Sequence, residues 1–332
     1  MLEQNARMVL KIRKEDNKMN CQTCNVETRK FGKDRKGNQR FQCPSCKKTY
    51  SEPREKPLGR LILDEEKALT VLQHLVEGCS VRSTERLTGV HRDTILNVLM
   101  VAGEKCERLM NERIQGLSVS DVQCDELWGF VGMKEKTKTR KGLDAASIGD
   151  AWTFVAFERH SKLILAWHLG RRTEADTIQF TEKLAHATEG SFQVSTDGFK
   201  PYQHAIVLSL GAQHISFAQL VKLYTNNPEG ESRYSPAECT GAKKVPIYGN
   251  PDMSRVCTSH VERQNLNIRM AMRRFTRLTN GFSKKWVKLH AHLALYFAYC
   301  NFCRVHTSLR VTPAMEAGIT DHIWTLKELL AA

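Results

Sequence analysis

The sequence predicts an α/β protein in which two small modules precede a larger mixed domain. Three observations carry that prediction. Five short stretches of strand character with an amphipathic helix among them fall between residues 118 and 217, two Cys-x-x-Cys pairs lie near the front, and three segments of helical spacing stand between. A chain of 332 residues suits two or three domains. Its 41% hydrophobic content can supply a core, and its mean hydropathy is -0.43. No run of about 18 apolar residues occurs and the first residues lack an apolar signal core, so neither membrane insertion nor secretion is expected. Eleven cysteines in a chain of that kind are expected to be reduced, which points to metal rather than disulfides.

The formal charge of +14 is unevenly distributed. Residues 1–60 carry 16 basic and 7 acidic side chains, residues 61–256 carry 23 and 25, and residues 257–310 carry 10 and only 1. Two basic blocks therefore flank a near-neutral middle, a pattern expected of a polyanion-binding protein.

The first block is read as a basic N-terminal extension (1–18) followed by a zinc ribbon (19–52). Cys21, Cys24, Cys43 and Cys46 form two knuckles whose spacing suits one tetrahedral Zn(II), with a hairpin turning at Gly37-Asn38. Four protein ligands make such an ion structural, since no position is left for substrate. Pro53 and Pro57 mark a linker. Residues 60–103 then read as a helix-turn-helix: a helix from near Asp64, a second over Ser80 to Leu87, a turn at Gly89, and a third over His91 to Val101. In that reading the last helix offers His91, Arg92, Thr94 and Asn97 to a DNA major groove; a generic three-helix bundle is the alternative. Residues 104–117 read as a helical connector.

Strands are expected over Ser118 to Cys124, Trp152 to Phe157, Lys162 to Trp167, Phe192 to Thr196 and Gly211 to Phe217, with a helix over Thr173 to Ala187. Three antiparallel strands, then helix, strand, helix, strand, is the order of the ribonuclease H-like fold, here spanning 118–310. In that fold the first and fourth strands are neighbours, so Asp125 and Asp197 at their ends come together. Glu262 is the third candidate carboxylate, on a helix from Ser259 to Arg274; alternatively, it completes a capping box with Ser259. Glu126 is expected to point to the opposite sheet face. Arg263, Asn267, Arg269, Arg273 and Arg274 continue the helix as candidate DNA-phosphate contacts. Residues 219–255 read as a long loop or insertion whose tyrosines Tyr224, Tyr234 and Tyr248 stack on DNA or merely ride on a connection. Lys134 to Lys141 reads as an exposed basic loop, Cys300-x-x-Cys303 with His306 as packing rather than metal, and 311–332 as a C-terminal tail.

The Asp125-Glu126-Leu127-Trp128, Thr196-Asp197-Gly198 and His260-Val261-Glu262-Arg263-Gln264-Asn265 segments resemble those of the DDE transposases of bacterial insertion sequences, most closely the insertion-element-one type. The resemblance spans about residues 19–318, including Asn301 to Ala314, and leaves the residues before Met19 outside, as a misassigned start would. It implies a ribonuclease H-like core preceded by a zinc ribbon and helix-turn-helix. It further implies two Mg2+ (or Mn2+) ions held by Asp125, Asp197 and Glu262, with Asp125 shared, and cleavage and strand transfer at terminal inverted repeats. The partners implied are double-stranded DNA, as element ends and target, and further copies of the chain in a homo-oligomer on DNA; the setting implied is the prokaryotic cytoplasm, with the nucleoid. A DNA-binding regulator with an inactive transposase-like domain is the alternative function, and a junction resolvase, which should lack the front modules, is a third.

Overall fold

The computed structural model describes residues 20–332 except 22, 36, 38, 52–56, 60 and 225–238. The expected extension 1–18, Pro53, Asn38 and Tyr234 lie outside the described residues. The chain divides into two compact units, Met1–Lys56 and Pro57–Ala332. The first holds an antiparallel sheet of β1 (Arg29–Lys33), β2 (Gln39–Gln42) and β3 (Thr49–Ser51) in that order. Among its described residues Phe41, Cys21 and Cys43 are the buried apolar ones, too few to fold so short a segment unaided.

The second unit opens with α1 (Glu65–Val76), α2 (Val81–Thr88) and α3 (Arg92–Arg113). Asp64 and Ser80 cap the first two through side-chain oxygens, and Gly89 ends α2 at a φ of 68° that favours glycine. A mixed sheet follows. β4 (Leu117–Ser118) is a short side strand, and β5 (Asp121–Val131) is the longest; after α4 (Glu135–Arg140) come β6 (Gly149–Glu158) and β7 (Ile164–Gly170). Then come α5 (Glu174–Ala187), β8 (Thr188–Glu189, paired with β4), β9 (Gln193–Asp197), α6 (Pro201–Leu210), β10 (Ser216–Tyr224) and β11 (Cys239–Tyr248). The sheet order is β11-β10-β9-β5-β6-β7. β5, β6 and β7 form an antiparallel meander, β9 and β10 run parallel to β5, and β11 returns antiparallel on the edge. Helices α7 (Ser259–Ala271), α8 (Trp286–Ala298), α9 (Pro313–Glu316) and α10 (Leu326–Ala331) complete the unit. Among the described residues no helix is long and apolar enough to cross a membrane.

Several expectations are corrected. The third helix does not stop near Val101 with a separate connector from 104 to 117; α3 is one helix of 22 residues. Gly103 within it is a packing residue: a Cβ there would lie 2.5 Å from the Ala291 carbonyl oxygen of α8. Nor do residues 60–103 form a domain apart from the sheet, because α1–α3 and the strands share one buried cluster running from Leu58 to Leu330. The stretch 311–332 is no tail, since Leu329 and Leu330 are buried and Trp324 lies against Phe302 with ring centroids 5.0 Å apart. Thr325 and Glu328 form a capping box that starts α10. The fifth strand is Ser216–Tyr224 rather than 211–217, and most of the described part of 219–255 is strand, not loop. Pro246 is tolerated in β11 because an edge strand needs hydrogen bonds on one side only. The 134–141 stretch folds as α4.

Gly103→Ala should therefore lower stability by about 1–3 kcal/mol through overpacking, although Ala is the better helix former by about 1 kcal/mol. A denaturation midpoint that stays or rises would contradict the α3–α8 contact. A second test concerns His292, fully buried on α8. Its Nδ1 accepts from Arg274 Nε at 2.9 Å, and its Nε2 lies 3.2 Å from the Leu75 carbonyl of α1. Burial, reinforced by the Arg274 charge, pushes its pKa down to about 3. Its neutral form contributes stability that is complete above the unfolded value near 6.5 and is lost as pH falls toward 3. Between pH 6.5 and 5 the native chain should lose about 2 kcal/mol more than His292→Gln; equal losses in unfolding titrations would refute this.

Candidate active site and metal centres

The register of β5 against β9 decides which carboxylates meet. The parallel pairs run Asp121 with Gln193, Val122 with Val194, Gln123 with Ser195 and Cys124 with Thr196. Asp125 and Asp197 are the next residues on the two strands. Gln219 of β10 fixes the end of β9 by donating to Thr196 Oγ1, the Asp197 carbonyl and the Phe199 carbonyl. Asp125 is not at a strand end as expected, because β5 continues to Val131; it is the pairing with β9 that stops there.

Alternation along β5 puts Asp121, Gln123 and Asp125 on the face covered by α7. Gln123 Oε1 accepts the amides of His260 and Val261 at 3.0 and 3.1 Å, docking the start of α7. Asn265, further along α7, donates to Asp125 Oδ2 at 2.8 Å. Glu262 lies between these anchors, but the expected capping box with Ser259 is absent: Thr258 is the N-cap and Ser259 the first helical residue. Glu262 Oε1 instead takes the Thr258 hydroxyl and the Lys222 ammonium of β10, each at 2.6 Å.

One carboxylate oxygen from each of Asp125, Glu126 and Asp197 lies within 4.8 Å of the others, and Glu262 is not in that group. The three that group this closely are Asp125, Glu126 and Asp197, while Glu262 of the expected trio stands outside that distance and still acts electrostatically on Asp125. Glu126 does point to the other face, toward the buried Tyr202 of α6, yet it reaches the cluster because Arg172 holds it there. The guanidinium of Arg172 bridges Glu126 at 3.0 Å and Asp197 at 3.9 Å, and it lies over the rings of Trp152 and Phe199. Arg172, Lys222, Gln123 and Asn265 are site residues that sequence reading missed. Only Asn265 had a signal, its place three residues beyond Glu262 on one helix.

Burial and the neighbouring Asp197 charge push the Asp125 carboxyl up to about 6 and that of Glu126 up to about 8. Glu126 Oε1 and the Tyr202 hydroxyl are both buried without a well-formed hydrogen bond. An all-oxygen set in which burial disfavours the charges of Asp125 and Glu126 fits a hard divalent cation.

In the first unit the four cysteines come together as expected. Cys21, Cys24, Cys43 and Cys46 sulfurs lie within 4.8 Å of one another, with Cys21 and Cys46 3.6 Å apart. Thiolates bound to one tetrahedral Zn(II) at about 2.3 Å stand about 3.8 Å apart. Each knuckle closes through a residue of positive φ, Asn25 at 52° and Lys47 at 61°. The amides of Cys24 and Cys46 then turn back toward Cys21 and Cys43 Sγ at 3.4 and 3.5 Å. The Tyr50 hydroxyl, 3.1 Å from Cys21 Sγ, pulls that thiol down to about 6, whereas hydrogen bonding with Cys46 pushes Cys24 up to about 12. The set can hold a structural zinc ion. Cys300 and Cys303 occupy a π-helical turn after α8. They join no three-ligand group among the described residues.

The basic candidates separate. Arg92, Asn97, Arg273 and Arg274 line a cleft of about 900 Å³ together with Arg82, Lys284, Lys285 and Lys288. His91 caps α3 through its ring and Thr94 is half-buried. Arg269 donates to the carbonyls of Phe275 and Trp128, and Arg274 to His292 and Ser283, so burial lowers both guanidinium pKa values to about 10. These two arginines tie the fold together rather than standing free for a ligand. Arg263 is exposed and Asn267 half-buried on α7, while Tyr224 and Tyr248 are exposed on β10 and β11.

No family model matches the chain, and no curated protein matches it. Among solved structures it is similar to two of Aquifex aeolicus Argonaute, at 9% and 16% identity over 53% and 52% of this chain, with TM-scores of 0.25 and 0.23. In both cases the match spans 29% of the Argonaute chain. It is also similar to endonuclease V from Bacillus subtilis, at 13% identity over 61% of this chain and 92% of that one, with a TM-score of 0.21.

Proposed function

We propose that the chain is a DNA transposase that binds the terminal inverted repeats of an insertion sequence and performs divalent-metal-dependent strand cleavage and strand transfer with a ribonuclease H-like core. The observation that carries this reading is the adjacency of Asp125 and Asp197 on parallel strands β5 and β9, with α7 docked across them by Gln123 and Asn265. A three-stranded meander followed by two parallel strands is the strand order of that fold. The basic cleft lined by Arg92 and Lys288 supports a polyanionic partner, and the four-cysteine set supports the zinc ribbon.

In this reading Asp125 and Asp197 hold the metal, Glu126 adds a ligand, and Glu262 adds another once released from Lys222. Bound divalent ions supply Lewis-acid activation of the attacking hydroxyl and charge neutralisation at the scissile phosphate. Asn265 holds the Asp125 carboxylate in one orientation. Arg172, fixed between Trp152 and Phe199, bridges Glu126 and Asp197 and keeps them aimed together. Lys222, on leaving Glu262, offers its ammonium to a phosphate oxygen.

The Lys222–Glu262 ion pair equally suits a DNA-binding regulator whose core is inactive. The two readings part in one experiment: the full chain is incubated with labelled duplexes carrying the DNA ends that flank its gene, in Mg2+ or Mn2+. A transposase nicks at the end and leaves a 3'-hydroxyl; end-specific binding with no cut in either metal would overturn the enzymatic reading in favour of the regulator.

A further inference from the structure

We propose that a second cleft, on the flank of α7 away from the carboxylates, binds the phosphodiester backbone of a nucleic-acid strand. The cleft has a volume of about 520 Å³ and lies between α7, the β6–β7 turn and the segment after the π-helical turn. Lys162, Arg263 and Arg304 line it, with His260 and His306, and no Asp or Glu does. Glu158 acts on Lys162 and Glu77 on Arg304 from outside the lining, but three cations in one concavity with no acid among its walls still favour an entering anion.

Gln264 is the second, independent observation. Its side chain lines the cleft and is only 8% exposed, and its Nε2 has no hydrogen-bond partner. Its Oε1 accepts from Asn267 at 3.4 Å, which leaves the amide donor for something else. A buried unpaired donor is costly, and because this nitrogen is itself covered, a small turn of the Gln264 side chain is what would bring it to an acceptor oxygen in the cleft. Ser308 and Thr307 add hydroxyls at the rim, with Ser308 Oγ 3.0 Å from His306 Nδ1. Donors, cations and hydroxyls without acids are the chemistry of a phosphate site.

The helical period relates this site to the carboxylates. Residues 260, 264 and 267 fall on one flank of α7 and 262, 265 and 269 on the other. A strand gripped by Arg263 and Gln264 therefore lies about one helix diameter, roughly 10 Å, from Glu262. Phosphate binding here stands on the cleft alone; that the phosphate belongs to nucleic acid rests on the function proposed above.

The test uses the full chain in EDTA, so that binding is read without cleavage, and a fluorescent 20-base-pair duplex followed by anisotropy over a salt series. Arg263→Ala combined with Arg304→Gln should weaken binding by about 10-fold or more and make the log K against log[salt] slope shallower by roughly 2. Gln264→Leu, nearly isosteric, should weaken binding about threefold to tenfold with the slope unchanged, because its donor is neutral. Melting temperatures close to the parent's establish that the variants are folded. Unchanged affinity and slope in both folded variants overturn the cleft. Saturation by inorganic phosphate or a nucleoside monophosphate at concentrations no higher than the duplex requires overturns the nucleic-acid assignment. Binding lost through the cleft variants in a protein that never cuts DNA sinks the transposase reading and spares this one.

Discussion

Asp125→Asn and Asp197→Asn are each expected to lower metal-dependent DNA cleavage by at least about 1,000-fold, equivalent to roughly 4 kcal/mol of lost transition-state stabilisation, while DNA binding in EDTA stays within about twofold. Both residues stand at the point where β5 and β9 part, and neither touches the basic cleft near Arg92. A folding defect is separable from a chemical one. Burial and the neighbouring Asp197 charge raise the Asp125 pKa to about 6, so in the metal-free fold its ionisation costs stability. The contribution of its neutral form is complete below about 3.8 and is lost as pH rises through 6. Asp125→Asn should therefore melt higher than the parent in EDTA at pH 8, by about 1–2 kcal/mol after loss of one acceptor, and no higher at pH 4. A lower melting point at pH 8 would mean that the aspartate is structural. Glu126→Gln and Glu262→Gln discriminate the remaining ligands: an effect from both is expected, and full cleavage by Glu262→Gln would leave Glu126 as the third carboxylate.

Removal of zinc is expected to unfold the first unit altogether. Its buried apolar residues are few, and two of them, Cys21 and Cys43, belong to the cysteine set itself. Folding of such a segment is metal binding, worth on the order of 10 kcal/mol in comparable modules. Chelation, or Cys43→Ser, should expose the remaining cysteines of the set to a thiol reagent and abolish preference for element ends over random duplex. Cleavage chemistry on unspecific DNA should persist, because Asp125 and Asp197 belong to the other unit. A chelated protein that keeps both slow thiol reactivity and end preference would remove zinc from the account.

Local patterns in the sequence carried much of this architecture. The four cysteines announce themselves by spacing, and alternation with helix periodicity gives the succession of elements from β5 to β9; it is the likeness of that succession to the ribonuclease H-like order that sets Asp125 beside Asp197. The readings that fail are those set by distant parts of the chain. The third helix reads as ending near Val101 because nothing nearby discloses that Ala291 packs against Gly103. Residues 219–255 read as a loop or insertion because their turn-rich composition does not disclose a place at the sheet edge. Glu126 reads as facing away, and in the backbone sense it does; its arrival at the cluster depends on Arg172, 46 residues along the chain. Glu262 reads as a ligand or a cap, and its partner is Lys222 on a strand that the sequence made a loop. Arginines on α7 read as a charged face, although Arg269 spends its donors on carbonyls.

The central claim is that Asp125 and Asp197 together hold a divalent ion. Mn2+ binding to the full chain at pH 8, followed by electron paramagnetic resonance of the free ion, tests it without recourse to DNA. The parent should bind Mn2+, and Asp125→Asn and Asp197→Asn should each weaken that binding by about 10-fold or more. Equal Mn2+ affinity in the parent and both variants would contradict it.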